Sequence, residues 1–290
     1  MAQLMKLNQS NLKKNNVENA SSKKNFYKDF FSKQNQIEKW HDKYHKDDIA
    51  SFGPKKRLRQ TIDWISEYES SQKEGIILDL GCGTGITTCA LEKLHYKVVG
   101  IDQSFSMVEK AKINSNSAKK PIDFLQGDIE ALPFKTNSID FIVCLGVVTY
   151  LKSGQKAFFE IARVLKPQGV VILSYLRRLI LMEYLLLIYR NIKRLLPMKS
   201  NKRNQFDLQR YSFDSMNRLF CQNGLKLIET NVIEYGFVKL SWRKVISTPL
   251  AMSLNRFFLK FSHKSPINKF GEMYLAKAGK EDKTKDDTFN

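Results

Sequence analysis

The feature that most constrains the fold is a short apolar run that ends in an acid and three closely spaced glycines, GIILDLGCGTG at residues 75–85. Residues 76–80 have the composition of a strand that is buried on both faces of a parallel sheet. Gly81, Gly83 and Gly85 let the backbone turn tightly and approach a ligand without a Cβ in the way. Because ITTCALEKL follows with helical spacing, the pattern predicts a strand–loop–helix unit that binds a nucleotide-like ligand in the crevice of a doubly wound sheet.

Two further acids stand at the ends of predicted strands. Asp102 ends the strand 98–101, about twenty residues past the glycines, where a carboxylate can accept hydrogen bonds from two ribose hydroxyls. Asp128 follows Gly127 after a third short strand, and alone this pair would be an ordinary turn. A fourth apolar strand is entered at Asp140. Asp102 and Asp128 therefore both lie where the carboxyl ends of parallel strands meet.

The second half of the chain continues the alternation of helix and strand. A helix that ends at Pro167–Gly169 precedes a fifth strand, 170–175, and a helix from Phe213 precedes a sixth strand after Gly224. MYLAKAGK near the end fits an antiparallel seventh strand. Such alternation predicts an α/β fold with a mostly parallel sheet.

In this order, the blocks LDLGCGTG, VVGID, QGDI and VLKPQG resemble the class I S-adenosylmethionine-dependent methyltransferases. The resemblance is to the small-molecule branch that includes ubiquinone- and menaquinone-biosynthesis methyltransferases, and it runs from about Ile37 to Lys280. It implies a doubly wound, seven-stranded, mostly parallel sheet with helical cap insertions. It also implies an enzyme that uses S-adenosyl-L-methionine as its methyl donor.

The resemblance implies a set of donor-binding residues. In that family the acid at the third strand accepts from the adenine amino group, and its neighbour packs on the ring, which assigns these roles to Asp128 and Ile129. The full set is Asp79, Gly81, Gly83, Gly85, Asp102, Gln103, Met107, Asp128, Ile129 and Leu145.

No catalytic residue is assigned from the sequence alone. Tyr150 stands where many relatives place a histidine, and its hydroxyl either orients a substrate oxygen or the ring merely packs. His41 and His45 are four residues apart on a predicted helix that folds over the donor site in relatives. They act there as a general base or simply face solvent. The resemblance implies that an aromatic residue of this helix, Trp40 or Tyr44, closes the site. The sequence offers no metal-ligand cluster, and no metal is predicted.

The charge distribution points to an anionic partner. The formal net charge is +19, yet the charges nearly cancel between residues 75 and 175. The segments 177–210 and 239–264 mix aromatic and aliphatic residues with Arg and Lys. They are interpreted as substrate caps, and also as surfaces that dock on an anionic membrane. The apolar run within 177–197 is too short to span a bilayer.

The chain is divided accordingly. Residues 1–24 are predicted to be disordered and 25–74 to form helices over the donor site. The core occupies 75–176, with a cap insertion at 177–210, a core helix and strand at 211–238, a second insertion at 239–270, the last strand at 271–279 and a disordered tail at 280–290. The four cysteines form no pairing pattern, and no secretory leader is apparent. Both features favour a reduced, cytoplasmic protein, and the two basic insertions favour one that is peripheral to the membrane.

The sequence therefore predicts methyl transfer to an O, C or N atom of a small or lipid-like acceptor, such as a quinone precursor or a prenylated compound. Two alternatives stay open. The charge favours an RNA methyltransferase, although no appended RNA-binding module is visible and nucleic acid is the less favoured partner. A donor-binding scaffold without catalysis is the other, because fold does not imply function. Neither the acceptor nor the oligomeric state follows from the sequence.

Overall fold

The computed structural model describes residues 25–46, 48–68, 75–178, 208–237, 246–263 and 267–280. The predicted disordered segment 1–24 and residues 281–290 of the predicted tail lie outside the described residues. So do residues 179–207, which hold most of the first cap insertion, and residues 238–245 of the second. Lys280, predicted to begin the disordered tail, is instead the last residue of the final strand.

Seven strands form one sheet in the order β3-β2-β1-β4-β5-β7-β6. The first five strands pair in parallel, and β7 pairs antiparallel with both β5 and β6. The predicted doubly wound, mostly parallel sheet is thus confirmed. The strands are β1 Ile76–Leu80, β2 Lys97–Asp102, β3 Asp123–Gln126, β4 Ile139–Cys144, β5 Leu165–Leu176, β6 Leu225–Tyr235 and β7 Gly271–Lys280.

Helices cover the faces and the carboxyl edge of this sheet. The N-terminal ones, α1 to α3, precede β1, and α4 to α6 connect the parallel strands. The described helices are α1 at 25–31, α2 Gln34–His45, α3 Ile49–Ser66, α4 Ile86–Glu92, α5 Phe105–Asn114, α6 Gln155–Val164, α7 Phe213–Gln222 and α8 Thr248–Lys260. Among the described residues, no helix is both long and apolar enough to cross a bilayer.

The centre of the sheet is apolar on both faces. Every residue of β4 is buried, and four of the five residues of β1 are buried. Such strands carry continuous apolar runs because helices cover both sides of a parallel sheet. Polar contacts connect the amino ends of β1, β4 and β5. The carboxylate of Asp140 accepts from the Ile76 N–H and from Lys166 Nζ, each at 2.9 Å.

The fifth strand begins earlier than the sequence predicts. The preceding helix ends at Val164, and β5 starts at Leu165 instead of residue 170. Pro167 excludes the helical region for Lys166, so the helix cannot continue to the proline. Gln168 then turns with a φ of 63°, and the strand resumes pairing with β4 at Val170.

Candidate active site

A cavity opens at the carboxyl edge of the sheet. The loops that follow β1, β2, β3 and β4 form its floor, and residues of α1, α2 and α3 form its other wall. The strand order reverses between β1 and β4, which is where doubly wound sheets leave a crevice for a ligand. Of the predicted donor-binding set, only Gly85 does not line this cavity.

The glycine loop is held open by its backbone. Gly81 and Gly83 have φ angles of 70° and 54°, in the left-handed region that favours glycine. A Cβ at Gly81 would lie 2.2 Å from Val147 Cγ2, whereas a Cβ at Gly83 would meet open space. Gly81 is therefore required by packing, and Gly83 leaves the cavity free for a ligand.

The structure gives Gly85 a packing role rather than a ligand contact. It precedes the first residue of α4 with a φ of 79°, and a Cβ there would lie 2.9 Å from the Cβ of Ala111 on α5. The third glycine thus allows two helices to approach each other closely beside the loop.

Asp102 joins the glycine loop to the end of β2. One carboxylate oxygen accepts from the Gly83 N–H and the other from the Ser104 N–H, each at 2.9 Å. Burial raises the pKa of Asp102, while these two N–H groups act in the opposite direction. A carboxylate oxygen has two lone pairs, so each oxygen keeps acceptor capacity toward the cavity. The geometry fits a ligand with two adjacent hydroxyls.

Asp79 is buried at the floor of the cavity. Its carboxylate accepts from the Thr88 hydroxyl at 2.7 Å. Burial raises the pKa of Asp79 to about 7, and the hydrogen bond from Thr88 and the charge of Arg57 oppose that rise. A buried carboxyl with a pKa near neutrality is well suited to meet a cationic ligand group.

The far end of the cavity is shaped for a flat, apolar group. Ile129, Leu145 and Met107 are buried there and line the cavity. Asp128 lies beside them, and one of its oxygens accepts from the Glu130 N–H at 3.0 Å. This arrangement fits an aromatic ring between apolar side chains, with an acceptor at its rim.

Arg57 is a lining residue that the sequence does not single out. It is buried on α3, and its Nη2 donates to the Tyr44 hydroxyl at 3.4 Å. Among the described residues its Nε has no hydrogen-bond partner and its guanidinium forms no salt bridge. A Cβ at Gly146 would lie 2.8 Å from Nη1, so that glycine makes room for it. A buried, unpaired guanidinium is costly, which indicates that a ligand anion completes it.

Aromatic side chains close the cavity above the loops. Tyr150 lies edge-to-face with Tyr27 and Phe31, at centroid distances of 5.0 and 5.2 Å. Trp40 packs against Phe31 at 5.8 Å, and Trp40 and Tyr44 both line the cavity as the resemblance implies. Burial raises the pKa of Tyr150 to about 12, so its hydroxyl stays protonated at neutral pH.

The structure does not bring His41 and His45 to the cavity. Their rings lie 4.5 Å apart on α2, and His41 Nδ1 is 3.3 Å from Asn114 Nδ2 on α5. Burial, followed by the charge of His45, lowers the pKa of His41. Asn114 also donates to the Thr84 carbonyl, so this contact ties α2 to the glycine loop. The geometry favours a positioning role over that of a base.

Nothing in the described parts of the chain resembles a metal centre. No group of three or more His, Cys, Asp or Glu side chains is placed there to hold an ion. The lining residues missed from the sequence include Arg57, Tyr27 and Phe31. The two aromatics are four residues apart, a spacing that indicates one face of a helix. No comparable signal marks Arg57 among the four cations of KKRLR.

Comparison with known proteins matches the part of the chain that contains the glycine loop. Residues 78–173 match the family model described as a methyltransferase domain. The ubiquinone biosynthesis O-methyltransferase of Rickettsia canadensis is 30% identical over 124 residues, which is 42% of this chain and 52% of that protein. The putative methyltransferase YqeM of Bacillus subtilis is 34% identical over 130 residues, 43% of this chain and 50% of that protein. These matches span about half the length of the curated relatives.

Solved structures share the fold at lower identity. Magnesium protoporphyrin IX methyltransferase from Synechocystis PCC 6803, solved with S-adenosylhomocysteine, has a TM-score of 0.62 and 16% identity over 89% of this chain and 100% of its own. The [4+2]-cyclase SpnF has a TM-score of 0.51 and 17% identity, over 77% of this chain and 81% of its own. The fold thus carries more than one kind of reaction.

The fold, the glycine loop and the matched domain together define a class. Residues 78–173 match a methyltransferase domain, and the sheet has the fold of solved methyltransferases that hold S-adenosylhomocysteine or S-adenosylmethionine. The residues around the cavity suit S-adenosylmethionine, because they offer an acceptor for two hydroxyls, apolar side chains for a flat ring, and an anion and a cation that form no salt bridge with each other.

Removal of the Asp102 carboxylate should weaken donor binding. We expect Asp102 to accept from the donor's ribose hydroxyls. Asp102→Ala would remove these acceptors and release the Gly83 N–H, so donor affinity should fall by about tenfold or more. Isothermal titration calorimetry with S-adenosylmethionine measures this. Asp123→Ala, at an exposed position on β3, is the matched control and should bind as the wild type does. Equal affinities for Asp102→Ala and the wild type would refute the assignment.

Proposed function

We propose that this protein transfers the methyl group of S-adenosylmethionine to an O, C or N atom of a small acceptor. The observation that carries the proposal is the meeting of Asp79, Asp102 and unpaired Arg57 in one cavity under an aromatic wall. When bound, the donor supplies an activated methyl group on a sulfonium. The chain must then hold the acceptor in line with that methyl group and exclude water.

The donor's two ends match the two ends of the cavity. Asp102 accepts from the ribose hydroxyls, and Asp128 with Ile129 receives the adenine, as the family resemblance implies. At the other end, Arg57 and Asp79 form a complementary pair for an amino acid: the guanidinium binds the α-carboxylate and the carboxylate binds the α-ammonium. This explains why a cation and an anion lie buried near each other without a mutual salt bridge.

The acceptor occupies the aromatic side of the cavity. Tyr27, Phe31, Trp40 and Tyr150 offer ring edges and faces, which favour a planar or strongly apolar acceptor. The protonated Tyr150 hydroxyl can donate a hydrogen bond to an acceptor oxygen but cannot serve as a base at neutral pH. A phenol or a related group that ionises readily suits such a site, because it needs little help from a general base.

We further propose a lipid-like acceptor such as a quinone precursor or a prenylated compound. The aromatic wall supports it, and so does the similarity of this chain to proteins named ubiquinone biosynthesis O-methyltransferase. The proposal is tested with labelled S-adenosylmethionine and a catechol that carries a short prenyl chain. We expect labelled methyl ether, or ring-methylated product, from the wild type and strongly reduced product from Asp102→Ala.

The same assay separates the alternatives. Label transferred to RNA and not to the catechol would favour an RNA methyltransferase. Donor binding without transfer to catechols, phenols or RNA would favour a donor-binding scaffold. Either outcome would overturn the proposed acceptor class.

Arg57 should recognise the carboxylate of the donor. We expect the wild type to bind S-adenosylmethionine about tenfold or more tightly than its decarboxylated analogue, since the bond is charge-assisted. Arg57→Gln should bind both donors weakly and equally in calorimetry, and Arg57→Lys should keep part of the preference. Arg59→Gln is the matched control, because Arg59 is exposed on the same helix. A preference that survives in Arg57→Gln would assign the carboxylate to another residue.

Asp79 should make donor binding depend on pH. Its pKa is about 7 in the donor-free protein, and the donor's ammonium favours the ionised form. Binding therefore releases a proton from the protonated fraction, so affinity should rise as pH rises through about 7 and then level off. Asp79→Asn should bind more weakly and lose this slope, while Asp123→Asn should keep it. Titrations in buffers of different ionisation enthalpy count the released protons, and a slope retained in Asp79→Asn would contradict the assignment.

A further inference from the structure

We infer that the exposed face of α8 docks this protein on an anionic lipid surface. The inference deepens the proposed function, and it rests on that function only where it connects the surface to a lipid-like acceptor. Four observations carry it: the amphipathic form of α8, the absence of acids in the sequence that flanks it, its place in the fold, and the poor fit of other occupants.

One face of α8 is anchored to the sheet. Ala251, Asn255 and Phe258 point inward, and Asn255 Oδ1 accepts from the Tyr235 N–H at the end of β6 at 2.9 Å. Phe258 packs on the rings of Tyr235 and Phe237, at 5.5 and 5.3 Å. The orientation of the helix is therefore set by contacts on this side.

The opposite face exposes apolar and basic side chains together. Leu250 and Phe257, seven residues apart, are 48% and 57% exposed. Arg256 and Lys260 are exposed beside them. A helix face that combines large apolar side chains with cations is typical of a helix that lies in the interface of a bilayer. The long stems of Arg and Lys let their charges reach phosphates while the apolar residues enter the lipid.

The sequence that flanks this helix contains no acid. Residues 236–271 contain seven Lys and Arg and no Asp or Glu. This sign matches an anionic headgroup layer, which attracts each basic residue near its surface. Because β6 is parallel to β5, its end and α8 lie at the carboxyl edge of the sheet, as the cavity does. The start of β7, preceded by exposed Phe270, lies at the same edge.

Other occupants fit this face less well. A second copy of the chain would bring two basic faces together with no acid within 236–271 to pair with them. RNA would use the cations but would leave Leu250 exposed, since an aliphatic side chain cannot stack on a base as an aromatic ring does. An anionic bilayer takes both the charges and the apolar side chains.

The test compares vesicles of phosphatidylcholine with vesicles that also contain phosphatidylglycerol. We expect the full-length protein to sediment with the anionic vesicles only, and less so as salt is raised. Phe257→Ser combined with Lys260→Gln should weaken this association by about tenfold or more. The matched control is Lys156→Gln with Phe159→Ser, which alters an exposed cation and a 60% exposed ring at the same three-residue spacing on α6. The control variant should bind as the wild type does.

Several results would overturn the inference. One is that the protein sediments with neither kind of vesicle, or equally with both. Another is that the α8 and α6 variants lose vesicle association to the same extent. A third is that the protein binds RNA but no vesicles, and that the α8 variant loses the RNA binding. Calorimetry with S-adenosylmethionine on the same samples separates this inference from the proposed function. Donor binding without vesicle association would remove only the docking surface. Vesicle association without donor binding would support the surface and remove the proposed reaction.

Discussion

The hydrogen bond from the Gly83 N–H to the Asp102 carboxylate is the contact on which the rest of the site depends. It fastens the loop after β1 to the end of β2, and the Gly81 and Cys82 N–H groups reinforce it by donating to the Ile101 carbonyl at 2.7 and 3.0 Å. A buried carboxylate needs such donors, because its desolvation would otherwise be costly. The same bonds orient Asp102 before any ligand arrives. The donor therefore meets a site whose geometry is already set by the backbone.

Much of this arrangement could be predicted from sequence because it is local. The glycine spacing, the acid that ends β2 and the Gly-Asp pair after β3 each lie within a few residues of a buried strand. Parallel pairing then brings the carboxyl ends of those strands to one edge, whatever the details of the helices. The positions of Asp102 and Ile129 at this edge could therefore be predicted from the sequence. So was the antiparallel β7, whose pairing with β5 the structure shows.

The remaining features depend on contacts between distant segments. Arg57 is one of several neighbouring cations, and only the packing of α3 over the loops after β1 and β4 buries it against Gly146. His41 has the spacing of a base candidate, yet the way α2 lies on α5 turns it toward Asn114 and away from the cavity. The start of β5 was not predicted for another reason. The turn at Gln168 has a left-handed φ, and glutamine is not a residue type that indicates such a turn in a sequence.

The antiparallel strand β7 links the cavity to the basic surface. It lies between β5 and β6, so β6 runs parallel to β5 and ends at the edge where the cavity opens. If the strand that precedes α8 paired directly with β5 in antiparallel orientation, it would end at the amino edge of the sheet. The helix α8 would then lie at the edge opposite the cavity. One topological choice therefore puts the exposed Phe257 and Lys260 on the same side of the molecule as Tyr150 and Arg57. An apolar acceptor held in a membrane would then reach the aromatic wall without having to cross to the other edge of the sheet.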